Sequence, residues 1–311
     1  MAYFSQALEI NNKKASVKPG RLYLVPTPIG NLKDLSPRAR EVLAEVDLIA
    51  CEDTRVSARL LAVAGLPFQE LISYHSHNEK SRSELLLERL REGKTIALVS
   101  DAGMPAISDP GEIVVKEALE AGIEVSALPG PNAGLTALSA SGLSTRYFYF
   151  EGFIPSAGAE RSERLAIVAN RPETSIIYEA PHRLDKTLQE LSALGLGSRR
   201  LCIGRELTKS YETYLRLTVD EAIAELAERP ARGEFVLILE GTAEYYARLP
   251  ETFKAHEEAQ KAELKAAVAR LQEAGLSRKS MAQILIPLYG CRKNEIYALA
   301  DELDQEASRP L

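Results

Sequence analysis

Cysteine is scarce: the chain holds three, Cys51, Cys202 and Cys291, with no C-x-x-C and no shared spacing. That excludes a disulfide framework and a zinc ribbon, and it fits a reducing compartment. Long apolar runs are lacking too, since no stretch approaches the ~18 residues of a membrane span. The opening MAYFSQALEINNKKASVKPG has no apolar core between a charged end and a cleavage site. The expectation is a soluble, cytoplasmic protein with no membrane contact, preceded by a flexible extension over residues 1–20. Positive charge is not in excess either. Lys plus Arg number 38 against 44 Asp plus Glu, a formal net charge of −6, which excludes a protein that coats nucleic acid by bulk charge. A local basic groove stays open.

The common nucleotide and hydrolase signatures are missing. There is no G-x-x-x-x-G-K-[ST], no G-x-G-x-x-G after the first strand and no G-x-S-x-G. Kinase, dehydrogenase and hydrolase readings lose their support. His75 and His77 share one strand face, but no third His or Cys lies near, so they read as polar loop residues and no metal is expected.

What is present is an ordinary globular composition, 45% hydrophobic and 26% charged, in 311 residues. At ~150 residues per domain that length suggests two. From Arg21 onward, short apolar runs end in polar or glycine-rich turns and lead into amphipathic helical stretches, an α/β pattern. Strands are expected over 22–25, 47–51, 95–100 and 124–128, with a helix opened by Ser36-Pro37. A polar connector, Ser144-Thr145-Arg146, precedes an aromatic strand over 147–150. Strands over 175–178, 201–204, 214–217 and 235–239, with helices over 184–194 and 219–227, predict a mixed sheet. The expected division is 21–143, 144–246 and a helical tail over 247–311.

Four unusual loops fall at the carboxyl ends of the first four strands, where ligands of open α/β sheets bind. The first, 26–31, is stiffened by two prolines and carries Gly30, a position for positive φ or for close approach of a ligand. A stiff turn would explain it equally well. The others are Glu52-Asp53-Thr54-Arg55, the Asp-, Gly- and Pro-dense DAGMPAISDPG (101–111), and Pro129-Gly130-Pro131-Asn132. In the second half, 178–183 and 205–209 each set a carboxylate beside cations, consistent with function or with salt-bridged corners. With Arg161, Arg164, Arg171, Lys186, Arg199 and Arg200 they make this half locally cationic, an argument for a polyanionic partner.

Eight segments in this order, LYLVPTPIGNL (22–32), ACEDTR (50–55), SYHSHNE (73–79), SDAGMPAISDPG (100–111), LPGPNA (128–133), YEAPHRL (178–184), RELTK (205–209) and GEFVLILEG (233–241), resemble the ribosomal RNA small-subunit methyltransferase I family. That family belongs to the tetrapyrrole-methylase-like enzymes that use S-adenosylmethionine. The resemblance implies two α/β domains with a cofactor cleft between them, usually in a homodimer. The implied reaction is methylation of the ribose 2′-hydroxyl of a cytidine in the decoding region of 16S ribosomal RNA, within the 30S subunit. Carried over by motif, the cofactor residues are Pro28, Ile29, Gly30, Asp101, Ala102, Gly103, Met104, Pro105, Pro129, Gly130, Asn132 and Ala133. Phe153, Arg205, Leu207, Gly233 and Glu234 close over it from the second half. Two departures stand out: Met104 replaces a small Thr-like residue, and SAGAERSERL (156–165) is less basic than the family pattern, with Arg161 and Arg164 retaining charge.

A ribose hydroxyl is a poor nucleophile near neutrality, so a group must accept its proton or cations must stabilise the emerging alkoxide. Glu52 and Asp53 are the candidate bases and His75 the alternative, with Arg55 and Lys209 positioning phosphates. Glu52, Asp53 and Arg55 are equally explained as a local ion pair holding the loop. Two other readings follow from the same residues: a methyltransferase acting on a tetrapyrrole-like small molecule, and a non-catalytic ribosome-binding protein that keeps the fold.

Overall fold

The computed structural model describes residues 17–228, 231–289 and 291–307. Most of the extension expected over 1–20 lies outside the described residues. From Val17 the chain is anchored: the Lys18 N–H donates to the Tyr23 hydroxyl at 2.8 Å, and Gly20 turns with φ +68° into the first strand.

Two five-stranded sheets carry the fold. The first comprises β1 (Leu22–Leu24), β2 (Leu48–Cys51), β3 (Glu70–Ser73), β4 (Ile96–Val99) and β5 (Val125–Ala127), all parallel, in the order β3-β2-β4-β1-β5. Every residue of β1, β2 and β4 is buried, as expected of central parallel strands covered on both faces. Helices α1 (Pro37–Glu45), α2 (Thr54–Val63), α3 (Glu79–Arg91) and α4 (Glu112–Glu120) provide the cover. One core gathers Tyr23, Val42, Leu43, Ile49 and Leu61, and the other Leu22, Leu86, Leu90, Ile96 and Val114. Helix α1 starts as its sequence indicates: the Ser36 hydroxyl accepts from the Ala39 N–H at 3.1 Å, and Pro37 takes the first turn.

Because β4 inserts between β1 and β2, the loops after these three strands meet at one end of the sheet. They are joined there. Thr27 and Gly103 exchange backbone hydrogen bonds at 2.9 and 3.0 Å, and the Thr27 hydroxyl donates to the Ser100 carbonyl at 3.0 Å.

The second sheet, β6 (Phe148–Phe153), β7 (Thr174–Glu179), β8 (Arg200–Arg205), β9 (Thr213–Thr218) and β10 (Phe235–Leu239), runs in the order β6-β7-β10-β8-β9. Only β6 and β7 are parallel, so the sheet is mixed. Helix α5 (Ala133–Ser141) packs Ala137 and Leu138 on one face, against Ile176, Cys202, Val236 and Ile238. Helices α6 (Gly158–Asn170), α7 (Pro181–Leu191) and α8 (Val219–Glu228) cover the other, around Leu165, Leu184, Leu188 and Leu237. A helix that follows the last strand of the first sheet thus buries its apolar face on the second. The Asn132 side chain caps it by accepting from the Leu135 N–H at 2.9 Å, and Gly142 ends it at φ +79°.

Both sheets fall in one compact unit ending at Thr242, and a second unit begins at Ala243. After α9 (Thr242–Arg248), the second unit consists of α10 (Pro250–Glu273), α11 (Arg278–Tyr289) and α12 (Lys293–Ala307). Its core comprises Leu264, Val268, Met281, Leu285, Ile296 and Leu299, and Arg278 pairs with Asp301 at 2.5 Å and Asp304 at 2.8 Å. None of the described helices is long and apolar enough to cross a membrane.

Candidate functional site

A cavity of about 420 Å³ opens where the loops after β1, β2, β4 and β5 face the ends of β6, β7 and β10. Of the residues expected at the cofactor, Ile29, Asp101, Ala102, Gly103, Met104, Asn132, Ala133, Phe153, Leu207 and Glu234 line it, and so does Glu52. Pro28, Gly30, Pro105, Pro129 and Gly130 belong to the same loops, Arg205 ends β8 and Gly233 precedes β10, but none of them is on the wall. Asp53, Arg55, His75 and Lys209 are not on the wall either.

Two of the off-wall glycines explain how the loops close on each other. A Cβ on Gly30 would collide with Lys209 Cγ and lie 2.9 Å from Thr208 Oγ1 and 3.0 Å from the Leu207 carbonyl. Its φ is not positive; the close approach is made by the protein's own 207–209 segment. A Cβ on Gly130 would lie 2.6 Å from Pro26 Cβ, so the first and fourth loops pack without room for a side chain.

The wall carries Glu52, Asp101, Asp109, Glu179 and Glu234 but, among the described residues, no Lys, Arg or His. A phosphate-bearing ligand meets carboxylates there and no cationic side chain among the described residues. Burial pushes the carboxyl pKa of Asp109 up to about 6, reinforced by the neighbouring Glu52 and partly offset by the Ser100 hydroxyl, with Asp101 adding to the rise. Burial also raises Glu52, with Asp101 adding to the effect and the Asp101 N–H and His75 opposing it. Asp101 itself is raised, again chiefly by burial. Three carboxyl groups that resist ionisation together suit a ligand that brings positive charge. The uncharged walls, among them Ile29, Leu207, Val236 and Phe153, suit an apolar or aromatic body. A sulfonium nucleoside has both parts, and the residues present fit it.

The remaining expected groups have local partners. Asp53 caps α2, accepting from the Arg55 N–H at 2.8 Å, and its carboxylate pairs with the Arg55 guanidinium at 2.6 Å. Those bonds hold its pKa at about 2. His75 donates its N–H to Asn78 Oδ1 at 2.9 Å, and its Nε2 faces the Asn78 amide at 3.2 Å. Lys209 reaches Glu206 at 3.0 Å and Glu234 at 2.8 Å. Burial pulls the Lys209 pKa down, but those two carboxylates outweigh it, for a net rise.

The cations of the second half are turned largely inward. Arg161 is 2% exposed and binds Glu190, the Thr187 hydroxyl and the Pro155 carbonyl. Arg164 and Arg171 flank Glu151, whose side chain is buried, at 2.6 and 2.8 Å. Lys186 also faces Glu190, at 3.9 Å. Arg199 donates to the carbonyls of Ala169 and Glu240. The charge that suggested a polyanion surface is spent mainly on internal pairing.

Sequence reasoning passed over several wall residues: Ile107, Ser108, Asp109, Tyr178, Glu179, Ala180, Pro181, Phe235 and Val236. Asp109 sits inside the Asp-, Gly- and Pro-dense loop that already stood out. Tyr178 to Pro181 belong to the YEAPHRL segment, whose chemistry had no assigned target. The Tyr178 hydroxyl accepts from the Gly134 N–H at 3.1 Å, tying α5 to β7 at the cavity.

Comparisons with known proteins agree with this architecture. Residues 21–223 match the family of Tetrapyrrole (Corrin/Porphyrin) Methylases. A uroporphyrin-III C-methyl transferase from Thermus thermophilus, complexed with S-adenyl homocysteine, superposes with a TM-score of 0.52 at 21% identity. The match covers 71% of this chain and 97% of that one, and it shows the shared fold. Sequence likeness is narrower and stronger. The ribosomal RNA small subunit methyltransferase I of Escherichia coli O157:H7 is 44% identical over 94% of this chain and 98% of its own length. Its Bacillus subtilis counterpart is 48% identical over 72% and 76%. With both α/β sheets, the loop cavity and nearly the full length of a relative accounted for, the chain belongs to the ribosomal RNA small subunit methyltransferase I family.

Proposed function

We propose that this protein transfers the methyl group of S-adenosylmethionine to the ribose 2′-hydroxyl of a cytidine in the decoding region of 16S ribosomal RNA. The observation that carries the reading is a cavity with five carboxylates and, among the described residues, no cation on its wall, built from the motif loops that mark the family. S-adenosylmethionine supplies an electrophilic methyl on a positively charged sulfur. Glu52, Asp101 and Asp109 face that charge, while Ile29, Gly103, Met104, Asn132, Ala133 and Leu207 form the walls that orient the nucleoside. Phe153, 55% exposed and edge-on to Tyr178 at 5.6 Å, lines the cavity from the end of β6, where an acceptor nucleotide would enter.

Holding donor and acceptor in line and excluding water supplies several kcal/mol toward such a displacement. RNA phosphates are held outside the cavity, by exposed cations such as Arg55, whose side chain is 89% exposed. The acceptor ribose has to be unstacked or already single-stranded, as base-directed enzymes require of their targets. The finer statements, action on the assembled 30S subunit, a homodimer, a cytoplasmic location and domain boundaries near 143 and 246, belong to the same proposal and rest on the family resemblance. Membership in this family, beside relatives named for ribosomal RNA, favours RNA over a tetrapyrrole. A mass-spectrometric map of 2′-O-methylation in 16S RNA from cells with and without the protein tests it. Loss of one methylated cytidine is expected; an unchanged map contradicts it.

A further inference from the structure

The proposed reaction needs a group to take the proton of the attacking hydroxyl, and partner accounting at the cavity narrows the choice. Asp53 is committed to Arg55 and lies off the wall. Glu179 Oε1 accepts from the Ala180 N–H at 2.9 Å and pairs with Arg183 at 2.7 Å, and its Oε2 accepts from the Thr187 hydroxyl at 2.6 Å. Glu234 pairs with Lys209. Asp101 Oδ1 accepts from the Asp53 N–H at 3.2 Å, and Glu52 takes the Asp101 N–H. Among the described residues, Asp109 is the wall carboxylate that receives neither a cation nor a backbone N–H.

The loop that presents Asp109 is held against its own preferences. Ala106 and Ser108 adopt φ of +67° and +63°, left-handed values that non-glycine residues avoid. Gly111, at φ +147°, leaves no room for a Cβ, which would lie 2.9 Å from both Ala106 Cβ and Leu98 Cδ2. Its N–H donates to Glu79 Oε1 at 2.8 Å. The same oxygen accepts from the Tyr74 hydroxyl at 3.0 Å, and that hydroxyl lies 3.1 Å from Ser83 Oγ in the core. Two residues of the SYHSHNE segment thereby lock a loop about thirty positions away. Local strain of this kind persists only where the surroundings over-determine it.

We propose that Asp109 is the proton acceptor of the reaction, with Tyr74 and Glu79 as positioning residues; this rests on the function proposed above. As the bond from O2′ to the methyl carbon forms and the S–CH3 bond breaks, the bonding pair stays on sulfur and the hydroxyl proton passes to the Asp109 carboxylate. The products are the 2′-O-methyl ribose, neutral S-adenosylhomocysteine and a protonated Asp109. Glu52, Ser100 and Asp101 face Asp109 from the loops after β2 and β4, and Tyr178 faces it from β7. With a pKa of about 6, Asp109 is ionised at pH 7 yet more basic than an unperturbed aspartate.

The test combines single-turnover transfer to undermethylated 30S subunits as a function of pH, calorimetric binding of S-adenosylhomocysteine, and 13C NMR titration of the carboxyl groups. Asp109→Asn is expected to slow transfer ~100-fold or more while S-adenosylhomocysteine affinity stays within about threefold. The wild-type rate should fall below about pH 6, and the resonance missing from the variant should titrate there. Glu52→Gln should retain an acid limb, moved to lower pH because the Glu52 charge contributes to the rise of Asp109. Asp109→Asn with wild-type rate and pH profile, or an Asp109 resonance titrating near the ordinary value of about 4, overturns the proposal. Should Asp109→Asn fail to fold or to bind, Asp109→Glu decides: partial transfer with a displaced acid limb supports the role, and an undisplaced limb overturns it. A wild-type protein that leaves 2′-oxygens unmethylated would refute the function itself, while the NMR titration still tests Asp109.

Discussion

Single residues decide whether the cavity exists. Gly30 has no side chain because Leu207, Thr208 and Lys209 occupy the space where one would go. Gly30→Ala is expected to destabilise the protein by about 1–3 kcal/mol, the usual range for overpacking. It should also weaken S-adenosylhomocysteine binding by spreading the two walls, and calorimetry beside thermal melting reads both. Lys209 illustrates a residue whose type suggested one role and whose surroundings give another. Its ammonium bridges Glu206 and Glu234, with Glu206 pulled below the ordinary carboxylate range chiefly by that contact. Glu206 and Thr208 hold left-handed φ of +50° and +65° in the same turn. Lys209→Met should therefore loosen the 205–209 turn and reduce cofactor affinity, with little change in the salt dependence of 30S binding. A shallower salt slope would show instead that Lys209 pairs with RNA phosphate.

At the scale of elements, the loops are fixed by residues far off in sequence. Glu79 belongs to the first turn of α3 but holds Gly111 at the start of α4. Glu79→Ala strands the Gly111 N–H and leaves the Tyr74 hydroxyl with Ser83 Oγ, which should cost about 1–3 kcal/mol, whereas Glu79→Gln keeps an acceptor oxygen and should recover most of it. Steady-state kinetics should show a larger loss in kcat than a rise in KM for the Ala variant. Helix α6 makes the complementary point. Arg161 is held by Glu190 and Thr187 of α7 and by the Pro155 carbonyl, and Thr187 in turn binds Glu179 on the cavity wall. Arg161→Ala should cost about 3 kcal/mol, the low end for a broken buried pair because Glu190 keeps contact with water. The melting temperature should drop by several degrees while the 30S affinity of the folded protein is unchanged.

These elements also mark what could be read from the chain. The central strands were legible because both of their faces are buried, so apolar runs such as LIAC and IALV have no competing reading. β3 went unseen: it is a four-residue edge strand, none of it fully buried, and its ELIS pattern is too short to separate from a loop. Proline and glycine flagged the cavity loops because tight approach demands them. Of the acid cluster, Glu52 and Asp101 were legible as site residues, but Asp109 was not, because its approach to them depends on the pairing of β2 with β4 and on the path of the 101–111 loop. The inward pairing of Arg161, Arg164 and Arg171 was hidden for a related reason: in each case a neighbouring element supplies the partner carboxylate.

For the whole molecule, the cavity trades stability for chemistry. Folding raises the Asp109 pKa from 3.8 to about 6, so the folded state binds more protons than the unfolded chain between those values. Stability from this group is greatest below the unfolded pKa and declines as pH rises through the folded one. Two units at 1.36 kcal/mol each set a ceiling of about 3 kcal/mol, and solvent screening of a partly exposed carboxylate brings that to about 1 kcal/mol. Asp109→Asn is therefore expected to melt higher than wild type at pH 8, with the difference vanishing toward pH 4, while transfer is lost. A gain in stability that accompanies loss of activity is the mark of a strained functional group. An equal loss of stability at both pH values would assign Asp109 to the scaffold.

The most direct measurement gives purified protein, undermethylated 30S subunits and S-adenosylmethionine with a trideuterated methyl, then digests the RNA to nucleosides for mass spectrometry. The account predicts one new species, a cytidine carrying the trideuteromethyl on its ribose. Label confined to a base, or RNA that stays unlabelled while a porphyrinoid precursor is methylated in parallel, would contradict it.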